Sequence, residues 1–304
     1  MNDKAMRLYQ EKLKQIVIGS RPWSFPMTVI SVMVGTLSAV ATEAFWPVRF
    51  VLTVVSMVFF HAAANLINDY YDHRNGLDVP GSPTTRYREQ PIVEGWFTPD
   101  QILMAGLFLY LVVLGIGTYL AVVVGPVVIA FGLLGIAASY LYTGDPLSYK
   151  YLGMGEVSVF LMWGPLMVSG SYYVQTGRLD GVPVLLSLPL GLLVAVVLLA
   201  DNLRDRKYDR DRGIVTLATA LGIRRGLALF LGLIFGAYGL LLYLIISGVM
   251  GYWGALVFVS LPVAFGLVRD FYGRIPEDAD VQAARLDLAF GGLMSVSMVL
   301  GVLT

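Results

Sequence analysis

The chain has 304 residues, of which 57% are hydrophobic and only 14% charged, with 21 acids balancing 21 Lys and Arg. A soluble domain gives about a quarter of its residues to charge, so this composition excludes an ordinary water-soluble fold, and zero net charge leaves no basis for bulk nucleic-acid binding or a disordered tail. The absence of cysteine excludes disulfides, thiolate metal centres and cysteine nucleophiles.

Residues 1–20 are mixed and polar, without the pattern of a cleaved leader. Nine apolar runs follow, at roughly 24–42, 47–68, 101–122, 124–143, 154–175, 183–202, 226–247, 250–268 and 286–303. Each approaches the roughly 20 residues that a helix needs to cross about 30 Å of hydrocarbon. The runs are continuous rather than alternating, which favours helices over a barrel. The expectation is an all-α integral membrane protein, nine transmembrane helices around a central cavity, forming one domain over residues 1–304. Runs 124–143 and 250–268 adjoin their neighbours through very short turns such as Gly125-Pro126. Counted on that scheme, 19 of the 21 basic residues fall on one side, leaving Arg49 and Arg178 on the other. The positive-inside bias then puts the N-terminus in the cytoplasm and the C-terminus outside. Nineteen of the 21 acids follow the same partition, leaving only Glu43 and Asp180. Acids carry little topological weight, so their asymmetry needs a chemical cause.

Two segments supply it. At the end of the second run, Asn65, Asn68, Asp69 and Asp72 recur at i, i+3, i+4 and i+7, the spacing of one helical face. At the end of the sixth, Asp201, Asp205 and Asp209 recur every four residues. Carboxylates beside hydrocarbon are costly, about 2.5 to 3.5 kcal/mol at a helix centre, and solvation of a loop does not require them to align. Oxygen-only donors on two facing helices suit Mg²⁺, which takes one or two carboxylates and completes its shell with water and phosphate oxygens. One or two such ions around a diphosphate is the natural reading, with Arg204, Arg206, Lys207, Arg210 and Arg212 interleaved to contact phosphate.

At these residues the sequence resembles the UbiA superfamily of intramembrane prenyltransferases. Its Asn-Asp-x-x-Asp segment reads Asn68-Asp69-Tyr70-Tyr71-Asp72, and its Asp-x-x-x-Asp segment reads Asp205-Arg206-Lys207-Tyr208-Asp209. Other stretches are similar to the branch of 1,4-dihydroxy-2-naphthoate polyprenyltransferases of menaquinone synthesis and their vertebrate relatives. These are Arg21-Pro22, Gly76-Leu77-Asp78, the pieces 142–144, 149–153, 164–166 and 172–175, and Asn202-x-Arg204-Asp205 with 213–218. Asp201 stands where that branch commonly has Asn, and Gln90 where an Arg often precedes Pro.

The resemblance implies a polyprenyl diphosphate donor and an aromatic acceptor, most simply dihydroxynaphthoate. It implies Mg²⁺, as two ions, held by Asn68, Asp72, Asp201, Asp205 and Asp209, with Asp69 and Asp78 as further catalytic acids and proton acceptors. Substrate contacts are expected from Arg21, Asn65, Tyr71, Arg86, Arg88, Tyr142, Lys150, Arg204 and Lys207. An allylic cation needs a dry surround, for which Tyr70, Tyr71, Tyr140, Tyr142 and Tyr149 are candidates at about 0.5–2 kcal/mol per ring. His61, one turn before Asn65, reads as a packing residue. The site would lie near the cytoplasmic face of the cell membrane, with lipid as its surroundings and no nucleic-acid partner. Other acceptors (4-hydroxybenzoate, homogentisate or a glyceryl phosphate lipid) fit the same motifs. An ion-coupled transporter is the rival class, but its acids belong near the bilayer midplane.

Overall fold

The computed structural model describes residues 3–303, so Met1, Asn2 and Thr304 of the expected single domain lie outside the described residues. It is all helical apart from one isolated bridge. In chain order the helices are α1 (Asp3–Gly19), α2 (Phe25–Val40), α3 (Pro47–Arg74), α4 (Pro83–Tyr87), α5 (Pro99–Val124), α6 (Val127–Thr143), α7 (Gly155–Leu161), α8 (Met167–Thr176), α9 (Gly181–Asp211), α10 (Leu217–Ile246), α11 (Leu261–Gly273) and α12 (Ala279–Leu303).

Among the described residues, eight helical stretches are long and apolar enough to span a bilayer, and the chain is a multi-pass membrane protein. The expected span at 124–143 is α6, which at 17 residues is shorter; at 1.5 Å per residue it reaches about 26 Å. The span at 250–268 is a 3₁₀ segment, Tyr252–Ser260, continued by α11. Leu111, Val122, Leu134, Val259 and Phe265 point outward and are exposed, an apolar surface that only lipid would tolerate at this extent.

Local chemistry sets the ends. Pro opens α3 and α5, where its missing N–H costs nothing. Thr98 and Thr216 close capping boxes with Gln101 and Thr219, and the Asp180 carboxylate accepts from the Val182 N–H. Between α7 and α8 the chain makes a π turn, Met162–Leu166, at Gly164-Pro165. There is no room for a side chain at Gly164, because a Cβ would lie 3.2 Å from the Gly191 Cα of α9.

α9 is the central post: it packs on α10, α12, α7 and α2. α12 returns to α2, closing the bundle, while α3 pairs with α5. Both α3 and α9 run past the expected apolar limits, and so carry their acids on unbroken helix. Their tips are tied together. Tyr208 on α9 donates to the Leu77 carbonyl after α3 at 2.8 Å, and Leu152 bridges Val215 between the loops after α6 and α9.

Candidate active site

Where α3 and α9 end, a polar cavity is lined by Asn68, Asp72 and Asp78 from one side and by Asp201, Asp205 and Asp209 from the other, with Arg21 and Lys150 at its edge. Below it lies an apolar chamber, walled by residues that include Phe60, His61, Tyr142, Tyr149, Met162 and Trp163. Arg21, Asn68, Lys150 and Asp201 line both spaces, so a charged mouth opens directly into a greasy interior. Asn65, from the same helical face, lines the chamber and donates to the Ser20 carbonyl at 2.8 Å.

Asp69 lies apart from this row. It is wholly buried, bound by the Arg21 guanidinium and, in bidentate fashion at 2.8 and 3.2 Å, by Arg88. Asp69, expected from sequence as a further catalytic acid, has both oxygens engaged by arginines and lines neither of the two spaces. Arg88, likewise buried, is spent on Asp69 and does not line the polar cavity. Burial opposes the charge on both arginines, but the Asp69 carboxylate outweighs it and keeps their affinity for the proton above the usual range. Arg21 also donates to Asn68 Oδ1 at 2.9 Å. Its backbone is left-handed (φ 57°, ψ 61°), a conformation costing about 1–2 kcal/mol outside glycine.

Asp72 is held by Lys150 Nζ at 2.7 Å and by the Tyr151 hydroxyl. Burial works against the Lys150 ammonium, yet Asp72 raises its proton affinity above normal, so it stays charged at the cavity edge. Asp78 is 3% exposed. Burial, with the Asp72 and Asp69 charges adding to it, pushes Asp78 up to about 7. Gln90, the departure noted in the sequence, organises this loop: its Oε1 accepts from the Ile92 and Val93 N–H groups at 2.8 and 2.7 Å, and its Nε2 reaches Asp78 at 3.4 Å.

On α9, Arg204 is enclosed by carboxylates. It binds Asp201, Asp205 at 2.6 Å and Asp280 at 3.3 Å, and lies over the Tyr87 ring. Arg204, expected to contact phosphate, here pairs with two carboxylates of its own helix and with Asp280 of α12. Asp209 lines the cavity and makes no side-chain hydrogen bond among the described residues. Lys207 is exposed and lines neither space, since two residues beyond Asp205 a helix has turned through about 200°. Arg86 is also exposed and donates to the Gly81 carbonyl at 3.2 Å. Tyr71 leaves the site for a cluster with Phe60 and Tyr110, its hydroxyl on Tyr140 at 2.8 Å. Tyr142 does face the chamber, edge-on to Tyr149.

Three participants escape a sequence reading. Asp280, at the start of α12, completes the cage around Arg204 and accepts from the Tyr87 hydroxyl at 3.1 Å. Glu156 accepts from Asn202 at 2.9 Å beneath the α9 tip. His61 is no mere packing residue. It lines the chamber between Phe25 and Trp163, with its ring nitrogens on Ser24 Oγ (3.2 Å) and Thr28 Oγ1 (2.8 Å), and Trp163 donates to the same Thr28 at 3.0 Å. The signal was present: positions 61, 65, 68 and 72 share one helical face.

The donor set fits Mg²⁺. It is oxygen-only and split between two facing helices, and among the described residues no three His, Asp or Glu are grouped so as to hold a metal ion by themselves. An ion here would take one or two protein ligands and complete its shell from phosphate and water, as Mg²⁺ prefers.

The fold and this mouth-and-chamber site are those of a helical membrane protein with a polar cavity opening into an apolar interior, and comparison with known proteins makes the class specific. The UbiA prenyltransferase family pattern matches residues 28–291. UbiA prenyltransferase domain-containing protein 1 of Rattus norvegicus is 31% identical over 291 residues, covering 94% of this chain and 83% of the relative. The apo structure of a UbiA homolog from Aeropyrum pernix K1 superposes with a TM-score of 0.68 at 16% identity, over 90% of this chain and 97% of that one. A UbiA homolog from Archaeoglobus fulgidus bound to GPP and Mg²⁺ gives 0.64 at 16% identity, over 93% and 99%. The chain belongs to the UbiA prenyltransferase family.

Proposed function

We propose that this protein transfers a polyprenyl group from a polyprenyl diphosphate to a carbon of an aromatic acceptor, with 1,4-dihydroxy-2-naphthoate the favoured acceptor and menaquinone precursors the product class. The observation that carries the reading is the junction of two acidic helix tips with an apolar chamber. The homolog from Archaeoglobus fulgidus that was solved with GPP and Mg²⁺ has the same fold.

Asn68 and Asp72 on α3, with Asp201, Asp205 and Asp209 on α9, would hold Mg²⁺, as two ions in this reading. When bound, the metal neutralises the departing diphosphate and makes its release easier. Lys150 and Arg21, fixed at the cavity edge, supply further positive charge to the same oxygens. The prenyl carbons lie in the chamber, where the walls exclude water from the allylic cation, and the rings of Tyr142, Tyr149 and Trp163 stabilise it. His61, with Ser24 and Thr28, offers the polar point inside that apolar space, and we assign it to orienting the acceptor's oxygens. The electron-rich ring carbon that bears the carboxylate bonds to the cation as a phenolic proton leaves; loss of CO₂ from that carbon then restores the aromatic ring, and the proton returns to the ring oxygen. Asp78, at the cavity and poised near neutrality, takes the proton. The tips face the cytoplasm of the cell membrane in this reading, by the bias of basic residues.

The test is purified protein in detergent or nanodiscs with geranylgeranyl diphosphate and an acceptor panel: dihydroxynaphthoate, 4-hydroxybenzoate, homogentisate and glyceryl phosphate. Mg²⁺-dependent prenylation of dihydroxynaphthoate above the others is expected, with Asp209→Ala at least 100-fold slower. A stronger preference for another acceptor would replace the acceptor assignment, and activity unaffected by chelation would overturn the metal reading.

A further inference from the structure

Ser24 Oγ lies 2.7 Å from the Arg21 carbonyl oxygen. Two oxygens at that separation need a hydrogen between them, and a carbonyl has none, so the Ser24 hydroxyl hydrogen lies there. His61 Nε2, 3.2 Å from the same Oγ, therefore donates to it. At the other end the Trp163 indole, a donor only, gives its hydrogen to Thr28 Oγ1 at 3.0 Å. Thr28 in turn donates to His61 Nδ1 at 2.8 Å, which is bare when a neutral ring carries its hydrogen on Nε2. The string runs one way, from Trp163 through Thr28, His61 and Ser24 to the Arg21 peptide. In that order every hydrogen in it has an acceptor. Phe25 and Trp163 meet the imidazole edge-on, at 5.5 and 4.9 Å between ring centroids, and set its plane.

What remains is one unfilled acceptor. A hydroxyl oxygen can accept two hydrogen bonds, and among the described residues Ser24 Oγ receives only the one from His61. Ser24 is 9% exposed and lines the chamber, whereas Thr28 is wholly enclosed and does not. The mouth shows the opposite imbalance: Arg21 Nε and Asn68 Nδ2 are buried there with hydrogens and no acceptor. His61 lies seven residues along α3 from Asn68, about 10 Å at 1.5 Å per residue. Over that depth the wall passes from surplus hydrogens, which suit an anion, to a surplus lone pair, which suits a hydroxyl.

We propose that Ser24 Oγ is a specificity contact for the acceptor and receives a hydroxyl of its ring. His61 and Thr28 are positioning residues that keep the serine's own hydrogen turned away from the chamber. This rests on the aromatic-acceptor reading above and adds to it the ring substituent that is read. A ring carbonyl or ether oxygen at the same place faces a lone pair with no hydrogen between them, and both oxygens lose water without compensation. The string therefore selects the hydroxylated ring over its quinone or its ether.

Binding measured without any prenyl diphosphate tests this. 1,4-Naphthohydroquinone, kept reduced under argon, and 1,4-dimethoxynaphthalene, the same ring without the hydroxyl hydrogens, are titrated calorimetrically into the protein in nanodiscs, with empty nanodiscs subtracted. The hydroquinone is expected to bind at least about tenfold tighter than the ether. Ser24→Ala and Ser24→Cys, the second keeping a polarisable atom that accepts only weakly, should bring that ratio below about threefold. If these variants only loosened the Arg21 turn, both probes would weaken together and the ratio would hold, which would overturn the assignment. A wild-type ratio near one would do the same. In a His73→Gln protein without a histidine tag, His61 is the sole histidine, and ¹⁵N NMR should find its hydrogen on Nε2. A hydrogen on Nδ1 would reverse the string and overturn the inference. Wild-type protein that selects the hydroquinone yet transfers no prenyl group would instead overturn the prenyl-transfer reading and leave the Ser24 contact standing.

Discussion

The tips of α3 and α9 carry similar rows of acids but balance them in opposite ways. On α9 the counter-charge is local: Arg204 sits one residue from Asp205 and three from Asp201. On α3 it is imported from three separate loops, with Arg88 19 residues and Arg21 48 residues from Asp69 and Lys150 78 residues from Asp72. The α9 tip thus travels with its own neutraliser, whereas the α3 tip acquires its electrostatics only when the whole bundle has assembled. Burial follows the same division. Asp69 is wholly enclosed, whereas the Asp201 side chain keeps 34% of its exposure.

Breaking the imported set should therefore cost most. Arg88→Ala leaves Asp69 buried with one partner fewer, and removal of one member of a buried pair typically costs about 3–5 kcal/mol. A large drop in melting temperature in detergent is expected. Arg204→Ala, whose carboxylates can regain water, should lose only about 1–3 kcal/mol. Equal losses would erase the distinction between the tips.

Next in size, Lys150→Met should raise KM for the prenyl diphosphate about tenfold with a smaller change in kcat. In the proposed reading the lysine's charge holds the diphosphate, besides pairing with Asp72 at 2.7 Å. Steady-state kinetics at saturating Mg²⁺ would check it.

A subtler effect is expected from pH. Asp78 is pushed up to about 7 in the folded protein, above the ordinary carboxylate value of 3.8. The unfolded chain then loses this proton first, so the group's contribution to stability is full below about pH 4 and falls as pH rises to about 7. Activity should rise through the same upper limit as Asp78 becomes able to accept a proton. Asp78→Asn should flatten both limbs, in thermal melts and in the rate profile.

The smallest effect separates position from charge. Lys207→Ala and Arg86→Ala, both outside the cavities, should keep activity within twofold of wild type. A larger loss for Lys207→Ala would mean that the α9 tip rotates in the working enzyme.

These contrasts also mark what the primary structure discloses. Local periodicity revealed the apolar spans and the acid faces of α3 and α9, because spacing along one helix is a property of neighbours. The same periodicity, unused for Lys207, turns it away from Asp205; read by charge alone it is expected on phosphate, and it stands exposed outside both spaces. The Arg21–Asp69–Arg88 anchor, the Asp280 edge of the Arg204 cage and the His61–Thr28–Trp163 contact were not legible. Each joins residues tens of positions apart, and a single sequence encodes such meetings only through the packing of intervening helices. Gln90 illustrates the limit: read as a departure from an arginine, it acts through its amide oxygen on the turn that places Asp78.

The left-handed turn at Arg21 has one further consequence. Glycine would relax that hinge but surrender the guanidinium, whose Nη2 donates to both Asn68 and Asp69. Joint geometry and grip are fused in a single position, so a glycine that eases the one forfeits the other.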